Sequence, residues 1–197
     1  MLFFEDRTNI VTRVSRAIWP RQPSAPWLAR DAMQMLDERL DGRQVGLEWG
    51  SGKGTLWLLE RSLWLTSVEH QRARYERVKA SLDEAGVTNS DYRLVAEAHY
   101  LRAVDEIPPG SLDYVIIDGL FRDETTKRSM QKLKSGGWLV VDDVNWYLPS
   151  STDTPQSRTW EDGAQSDLWT RIAREFTTWE TRWFTNDEHD TAIFVKP

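Results

Sequence analysis

Cysteine is absent from this sequence of 197 residues. Without cysteine, neither a disulfide framework nor a metal site built on thiolates can form. Long apolar runs are missing as well, because no stretch approaches the roughly 18 residues that a membrane-spanning helix needs. The apolar patch at residues 1–4 stops at Glu5 and does not resemble a secretory signal. We therefore expect a cytoplasmic protein with no membrane partner.

Positive charge is also scarce. The chain has 25 Lys and Arg residues against 31 Asp and Glu residues, a formal net charge of −6. An acidic chain has no general affinity for nucleic acid, so we expect no nucleic-acid partner. Hydrophobic residues make up 40% of the chain and charged residues 28%, as in ordinary globular proteins. This length suits one well-buried domain over residues 1–197 and is short for two. The sequence neither predicts nor excludes a homo-oligomer.

Strand-like and helix-like segments alternate along most of the chain. The predicted strands are residues 44–48, 63–69, 92–96, 112–117 and 138–141, followed by 179–185 and 191–196 as an antiparallel hairpin. The predicted helices are residues 25–40 with a cap at Ser24, a short helix after Gly54, and residues 71–85, 123–134 and about 164–177. This alternation predicts an α/β fold of the Rossmann-like kind, with a mostly parallel sheet of seven strands and a terminal antiparallel hairpin.

Residues 45–55 carry the strongest motif of the chain. An apolar run ends on Glu48, and three alternating glycines follow at Gly50, Gly52 and Gly54 before a helix-forming stretch. Such glycines let the backbone turn sharply and leave no side chain between it and a ligand. Fifteen residues after Gly54, a second apolar stretch ends on Glu69. A carboxylate there can accept hydrogen bonds from both hydroxyls of a ribose.

Three interpretations of this motif compete. The GxGxG spacing differs from the GxGxxG of NAD sites and is typical of another adenosine cofactor. Residues 50–55 also look like a phosphate loop, with Lys53 for phosphates and Thr55 for magnesium, but Leu47 stands where that motif needs a glycine. The third interpretation is a glycine turn that joins strand to helix and binds nothing.

Acidic residues follow each of the first five predicted strands. They are Glu48, Glu69, Glu97, Asp118 and the pair Asp142-Asp143. In α/β sheets the ligand lies beyond the carboxyl ends of the strands, where these residues would gather. An acid can also simply cap the start of a helix, which would explain one or two of them.

The chain from about residue 25 to 150, and on through the terminal hairpin, resembles the class I methyltransferases that use S-adenosylmethionine (SAM). The matching segments are residues 47–57, 67–70, 116–119 and 136–143. The resemblance implies an N-terminal arm and helix over 1–43, a cofactor-binding core over 44–146, an acceptor-side loop and helix over 147–177 and the hairpin over 178–197. It implies transfer of a methyl group from SAM to a small-molecule acceptor, at oxygen rather than nitrogen or carbon.

The resemblance also implies residues for the cofactor. They are Gly50, Ser51 and Gly52 at the methionine and ribose, Glu69 at the ribose hydroxyls, His70 beside the adenine, Glu97 and Ala98 at the adenine edge, Glu48 at the methionine amino group, and Asp118. The alternatives are a SAM- or nucleotide-binding module without catalysis and, less favoured, a nucleotide kinase.

Asp118, Asp142 and Asp143 match the acid triad that binds magnesium in catechol-type and macrocin-type O-methyltransferases. Neighbouring strands lie about 4.8 Å apart, so carboxylates at their ends can share one hard cation. Such an ion would hold an acceptor hydroxyl and lower its pKa. Alternatively, Asp118 contacts only the cofactor while the other two cap a loop.

The general base is not evident from the sequence. Catechol-type enzymes carry a lysine base where this chain has Phe121, and the guanidinium of Arg122 cannot act as a base. Asp118 and His99 are the candidate catalytic residues, and His70 is a further candidate base.

Residues 148–163 are rich in Pro, Ser and Thr, and we expect this loop to be mobile until an acceptor binds. Aromatic residues in or near the loop and in the N-terminal arm would wall the acceptor, or would only pack the loop onto the sheet. They are Trp146, Tyr147, Trp160, Trp169, Trp19 and Trp27.

Overall fold

A computed structural model of the chain describes residues 28–197. The expectations for the cap at Ser24, for the arm before it and for Trp19 and Trp27 lie outside the described residues.

Within the described residues, seven strands form one sheet. They are β1 (Val45–Trp49), β2 (Trp64–Glu69), β3 (Ser90–Leu94), β4 (Leu112–Ile117), β5 (Leu133–Asp142), β6 (Glu180–Thr185) and β7 (Asp190–Val195), in the order β3-β2-β1-β4-β5-β7-β6. The first five pair in parallel, and β7 runs antiparallel to both β5 and β6. The predicted Rossmann-like fold with a terminal antiparallel hairpin is confirmed.

Helices cover both faces of this sheet. They are α1 (Arg30–Arg39), α2 (Gly54–Leu59), α3 (Arg72–Glu84), α4 (Arg122–Lys132) and α5 (Asp167–Phe176), with 3₁₀ helices at Glu97–Arg102 and Val144–Trp146. Within residues 28–197, none of the helices has the length and apolar character needed to cross a membrane.

The sheet has a hydrophobic core on each face, and the alternating side chains of β4 contribute to both. Val115 and Ile117 face the core that α4 and α5 close, whereas Tyr114 and Ile116 face the core that α1, α2 and α3 close. Successive side chains of a strand point to opposite faces. A parallel strand covered on both faces is therefore apolar throughout, as residues 114–117 are.

The junction between α4 and β5 differs from the prediction. The helix ends at Lys132 and the strand begins at Leu133, five residues before the predicted start at 138. Leu133 pairs with Leu112 of β4, and the register shifts before Tyr114 pairs with Trp138. The intervening glycines bond to the last strand, since Gly136 N donates to the carbonyl of Lys196 and Lys196 N donates to that of Gly137. These long-range bonds, rather than a helix end, set the position of Gly136 and Gly137.

The segment 148–163 has polar anchors in addition to the buried Leu148. Thr152 and Thr154 donate their hydroxyls to the buried carboxylate of Asp190, over 2.5 and 2.6 Å. Asn145 Nδ2 donates to the carbonyl of Pro155 over 3.0 Å. These bonds tie the segment to the start of β7. The expected mobility of residues 148–163 without an acceptor stays a prediction.

Gly46 of β1 is expected to be essential for packing. A Cβ atom there would lie 2.1 Å from the ring of Tyr114, whose hydroxyl is fixed 2.7 Å from Ser62 Oγ. We expect Gly46→Ala to lower the free energy of unfolding by about 1–3 kcal/mol, the usual cost of overpacking. Urea denaturation measures this change.

The matched control is Gly52→Ala, because a Cβ atom at Gly52 would meet no atom of residues 28–197 within 4 Å. We expect it to change the free energy of unfolding by no more than about 0.5 kcal/mol. Equal losses in the two variants would contradict the packing account.

Candidate functional site

Four strands deliver acidic residues to one edge of the sheet. Glu48 and Glu69 lie at the carboxyl ends of β1 and β2, Asp142 ends β5, and Asp118 directly follows β4. These strands are neighbours in the order β2-β1-β4-β5. The chain leaves β1 toward β2 and β3 but returns on the other side as β4, so the switch point of the sheet lies between β1 and β4.

Two glycines allow the loops at this switch point to approach closely. Gly50 has a φ of 88°, and a Cβ atom on it would lie 2.6 Å from the carbonyl oxygen of Asp118. A Cβ atom on Gly119 would lie 2.9 Å from the carbonyl carbon of Trp49. Gly52, by contrast, has open space beside it. The predicted glycine turn thus combines tight backbone packing with an open position that a ligand can approach.

Glu69 is fully buried and joins two loops. Its Oε2 atom accepts hydrogen bonds from Ser51 N over 3.2 Å and from Ser51 Oγ over 2.9 Å. Its Oε1 atom accepts from His70 N and Gln71 N over 2.8 and 2.7 Å. These four donors match the number of lone-pair sites on a carboxylate. Glu69 therefore holds the glycine turn against the start of α3.

His70 has a buried nitrogen without a hydrogen bond. Its Nδ1 atom lies 3.2 Å from Glu69 Oε1, but the geometry is not that of a hydrogen bond, and no other described residue supplies one. The ring packs edge-on against Tyr100, with 5.8 Å between centroids. Buried polar groups normally have a partner, so this nitrogen indicates a place for a ligand or a water.

Tyr92 and Tyr75 add an aromatic surface that the sequence interpretation missed. The Tyr92 hydroxyl lies 2.7 Å from Ser51 Oγ, and the two rings stack with centroids 4.5 Å apart. Tyr75 could be predicted only as part of the apolar stripe of its helix. The pairing with Tyr92 needs the parallel register of β2 and β3, which the sequence alone does not contain.

Glu48 is a buried carboxyl among hydroxyl groups. Thr55 Oγ1 donates to its Oε2 atom over 2.9 Å, and Ser67 Oγ donates to the same oxygen. Burial raises the pKa of Glu48 to about 8, although the hydrogen bonds from Ser67 and Thr55 oppose the shift. At neutral pH the group is therefore mostly protonated.

Asp118, Asp142 and Asp143 converge as the sequence predicts, with carboxylate oxygens within 4.8 Å of one another. Arg122 lies among them. Its Nη2 atom donates to Asp118 Oδ1 over 2.8 Å, and its Nη1 atom donates to Asp143 Oδ2 over 3.2 Å and to the carbonyl of Asp142 over 2.5 Å. The guanidinium is only 12% exposed, so it is the fixed counter-charge of this acid cluster.

Protonation relieves the rest of the repulsion in the cluster. Burial, followed by the charges of Asp118 and Asp143, raises the pKa of Asp142 to about 8, even though Thr191 Oγ1 donates a 2.8 Å hydrogen bond to it. Burial also raises the pKa of Asp118 against the attraction of Arg122. Asp118 keeps 43% of its side chain exposed, which makes it the most accessible acid of the three.

The cluster as it stands does not fit a divalent cation. Arg122 already supplies a positive charge to the cluster, and it is held further by the carbonyl of Gly119 at 3.3 Å and by the ring of Tyr147 at 5.6 Å. Two positive charges in one small site would repel each other. The magnesium site predicted at Asp118, Asp142 and Asp143 stays a prediction, and we assign no chemical step to a metal.

Glu97, Ala98 and His99 occupy the 3₁₀ helix that follows β3, and all three are exposed. Strands β2 and β1 separate β3 from β4, which precedes the acid cluster. The structure therefore places Glu97 and Ala98 on the Glu69 side of the switch point, and it does not join His99 to the acids. The proposed role of His99 as a base stays a prediction.

The sequence matches no family model and no curated protein, whereas solved structures match it in fold. A proposed caffeoyl-CoA O-methyltransferase from Staphylococcus aureus superimposes with a TM-score of 0.62 at 16% identity, over 88% of this chain and 86% of that one. A proposed methyltransferase from Streptococcus mutans, solved with SAH, gives a TM-score of 0.61 at 12% identity, over 91% of this chain and 100% of that one. The chain has the SAM-dependent methyltransferase fold. At these identities the likeness concerns the fold alone.

One expectation has to be corrected. An rRNA methylase from Streptococcus thermophilus has the same fold, with a TM-score of 0.57 at 14% identity over 91% of this chain and 99% of that one. The prediction that the protein has no nucleic-acid partner was wrong as an exclusion. It rested on the net charge of −6, which is an average over the whole chain, whereas an RNA contact depends on the local charge of one surface.

Arg122→Ala tests whether the guanidinium takes the place of a metal. The variant leaves like charges uncompensated, so we expect it to lose about 2 kcal/mol of unfolding free energy, less than for a fully buried pair because Asp118 is partly exposed. Millimolar calcium or magnesium should raise the melting temperature of the variant and leave that of the wild type unchanged. Differential scanning calorimetry measures both effects.

The control variant is Arg128→Ala, which removes an ion pair with Asp105 far more open to solvent. Neither cation should affect its melting temperature. The role of Arg122 would be contradicted if magnesium raised the melting temperature of the wild type but not that of Asp118→Asn. That result would support the metal site instead.

Proposed function

We propose that this protein transfers a methyl group from SAM to an acceptor oxygen. The observation that carries the proposal is the cradle at the switch point, where Glu69 holds Ser51 and the start of α3 beside the open position at Gly52. The methyltransferase fold supports it, because ligands of such sheets lie at this place. The unpartnered His70 nitrogen supports it as well.

The proposed complex assigns a task to each residue of the cradle. The ribose hydroxyls would bind Glu69 in place of the Ser51 hydroxyl, since the lone pairs of the carboxylate are already in use. His70, Glu97 and Ala98 would surround the adenine, and Glu48 would face the amino group of the methionine. When bound, SAM supplies an electrophilic methyl group on a positively charged sulfur. Residues 44–146 would thus hold the cofactor and 147–177 would approach the acceptor.

The same proposal makes Asp118 the group that takes the acceptor proton. It is the most accessible acid of the cluster, and its raised pKa brings it closer to a useful base. Arg122 would keep its carboxylate oriented through their 2.8 Å hydrogen bond. Phe121, which stands at the lysine position of catechol-type enzymes, is exposed beside Tyr100 and offers an apolar contact to an acceptor.

We propose a small hydroxylated molecule as the acceptor, which the fold match to a proposed O-methyltransferase favours. RNA is the second candidate, because the fold match to an rRNA methylase favours it.

Formation of S-adenosylhomocysteine tests the proposed reaction. Purified protein is incubated with SAM and either a panel of phenols and aliphatic alcohols or total RNA, and the product is quantified by mass spectrometry. We expect product with a small hydroxylated acceptor and a loss of about two orders of magnitude in Asp118→Asn, the scale for removing a general base. Asp105→Asn, in an exposed ion pair, is the control.

Two outcomes would contradict this function. SAM binding without product from any acceptor would indicate a non-catalytic module. Tight ATP binding that Lys53→Ala abolishes would instead revive the phosphate-loop interpretation.

Proton release tests the position of Glu48. A pKa of about 8 leaves this carboxyl protonated at pH 7, and the positive charge of the SAM amino group should lower that pKa and favour the ionised form. We therefore expect SAM binding at pH 7 to release about one proton. Calorimetric titrations in phosphate and in Tris buffer measure it, because the two buffers absorb a proton with different enthalpies.

Glu48→Gln should bind SAM without releasing a proton. The control is Glu60→Gln, whose side chain is exposed at the end of α2, and this variant should behave as wild type. Proton uptake, or release that persists in Glu48→Gln, would place the amino group elsewhere.

A further inference from the structure

A cavity of about 150 Å³ lies between α5, the edge strand β6 and the segment 148–164. Its walls come from three faces: Leu148, Thr152 and Trp160 on the segment, Thr170, Ala173 and Phe176 on α5, and Thr181, Trp183 and Phe194 on the hairpin. The residues of α5 are three apart, so they form one side of that helix.

Among residues 28–197, no charged residue lines this cavity, although 28% of the chain is charged. The hydroxyl groups of Thr152, Thr170 and Thr181 have partners outside the cavity. Thr152 donates to Asp190, Thr170 donates to the carbonyl of Ser166 over 3.1 Å, and Thr181 donates to that of Trp179 over 3.4 Å. A charged occupant would lose its hydration without compensation. The cavity therefore suits an uncharged, largely apolar group.

The walls are rigid and aromatic. Phe176 and Phe194 stack with centroids 3.8 Å apart. The indole of Trp183 is fixed by a 2.8 Å hydrogen bond from its Nε1 atom to Asp190 Oδ2. The same carboxylate receives the hydroxyls of Thr152 and Thr154 in the covering segment. Asp190 thus holds both Trp183 in the cavity wall and the segment that covers the cavity. Ligand binding would therefore require little further ordering of the protein.

The cavity does not include the residues proposed to hold SAM or to take the acceptor proton. None of the acids Asp118, Asp142 and Asp143 lines it, and neither does Glu69. Tyr147 lies under the guanidinium of Arg122 and stacks on the buried Trp169, with 5.3 Å between centroids. Tyr147 directly precedes Leu148 in the sequence, and Leu148 is the first residue of the cavity wall.

We propose that this cavity is a second ligand site, specific for a single uncharged aromatic ring system of about the size of benzene to indole. Its volume is that of apolar cavities known to admit benzene, at about 150 Å³. Flat walls of Phe and Trp favour an aromatic ring over an aliphatic chain of equal volume, because aromatic pairs gain energy beyond their buried area. The proposal does not depend on the methyltransferase function.

Binding of 5-fluoroindole, followed by ¹⁹F NMR, tests the proposal on the full chain. We expect saturable binding to the wild type and its loss in Ala173→Leu, which fills the cavity from α5 with a good helix former. Thr170→Leu fills it from the same helix and serves as the second variant if Ala173→Leu does not fold. Thr181→Val keeps the volume of the wall and should bind like the wild type.

The SAM affinity of each variant is measured in parallel and should equal that of the wild type, since the cavity does not include the residues proposed to hold SAM. The proposal is overturned if the wild type does not bind the probe, or if a folded Ala173→Leu or Thr170→Leu variant binds it undiminished. Competition between 5-fluoroindole and SAM would also overturn it, because the ring would then occupy the cofactor site. Failure of SAM to bind any variant would count against the methyltransferase function alone.

Discussion

Parallel strands that end together place their last side chains together, and in this protein those side chains are acids. Glu48, Glu69, Asp118 and Asp142 lie at the carboxyl edge of the sheet, around the switch point between β1 and β4. Carboxylates so close to one another and so removed from water cannot all remain charged without a compensating group. The fold at this edge depends on how each charge is balanced, and each is balanced differently.

The differences separate the acids by chemical role. Glu69 accepts four hydrogen bonds from the two loops that it joins. Glu48 and Asp142 have pKa values raised to about 8 by burial, so they are carboxylic acids rather than carboxylates at neutral pH. Asp118 and Asp143 share the guanidinium of Arg122. In the proposed reaction, the ammonium group of SAM would meet a protonated Glu48, and the partly exposed Asp118 would accept the proton of the acceptor.

Much of this edge could be predicted from the sequence. Apolar runs that end on Glu48, Glu69 and Asp118 place those residues at strand ends whatever the tertiary details, and the hairpin at the end of the chain is defined by its own local pattern. The ion pair of Asp118 with Arg122 was not predicted, because Asp118 lies in the turn before α4 and not on the helix itself.

The rest depended on contacts between distant parts of the chain. The long β5 begins at Leu133 because Leu112 pairs with Leu133 and Lys196 bonds to Gly136 and Gly137, which no local pattern reveals. Asp190, in the last strand, accepts hydrogen bonds from both Trp183 and the segment 148–163, and the polar composition of that segment does not reveal these contacts. The contact of Tyr92 with Ser51 likewise crosses from β3 to the glycine turn.

The central claim is that the edge of the sheet is built for SAM. Native mass spectrometry of the purified protein, mixed with equal concentrations of SAM, ATP and NAD, tests it most directly. We predict an adduct of one SAM molecule on the wild type and a much weaker one on Glu69→Ala. An ATP or NAD adduct in its place, or no adduct at all, would contradict the account.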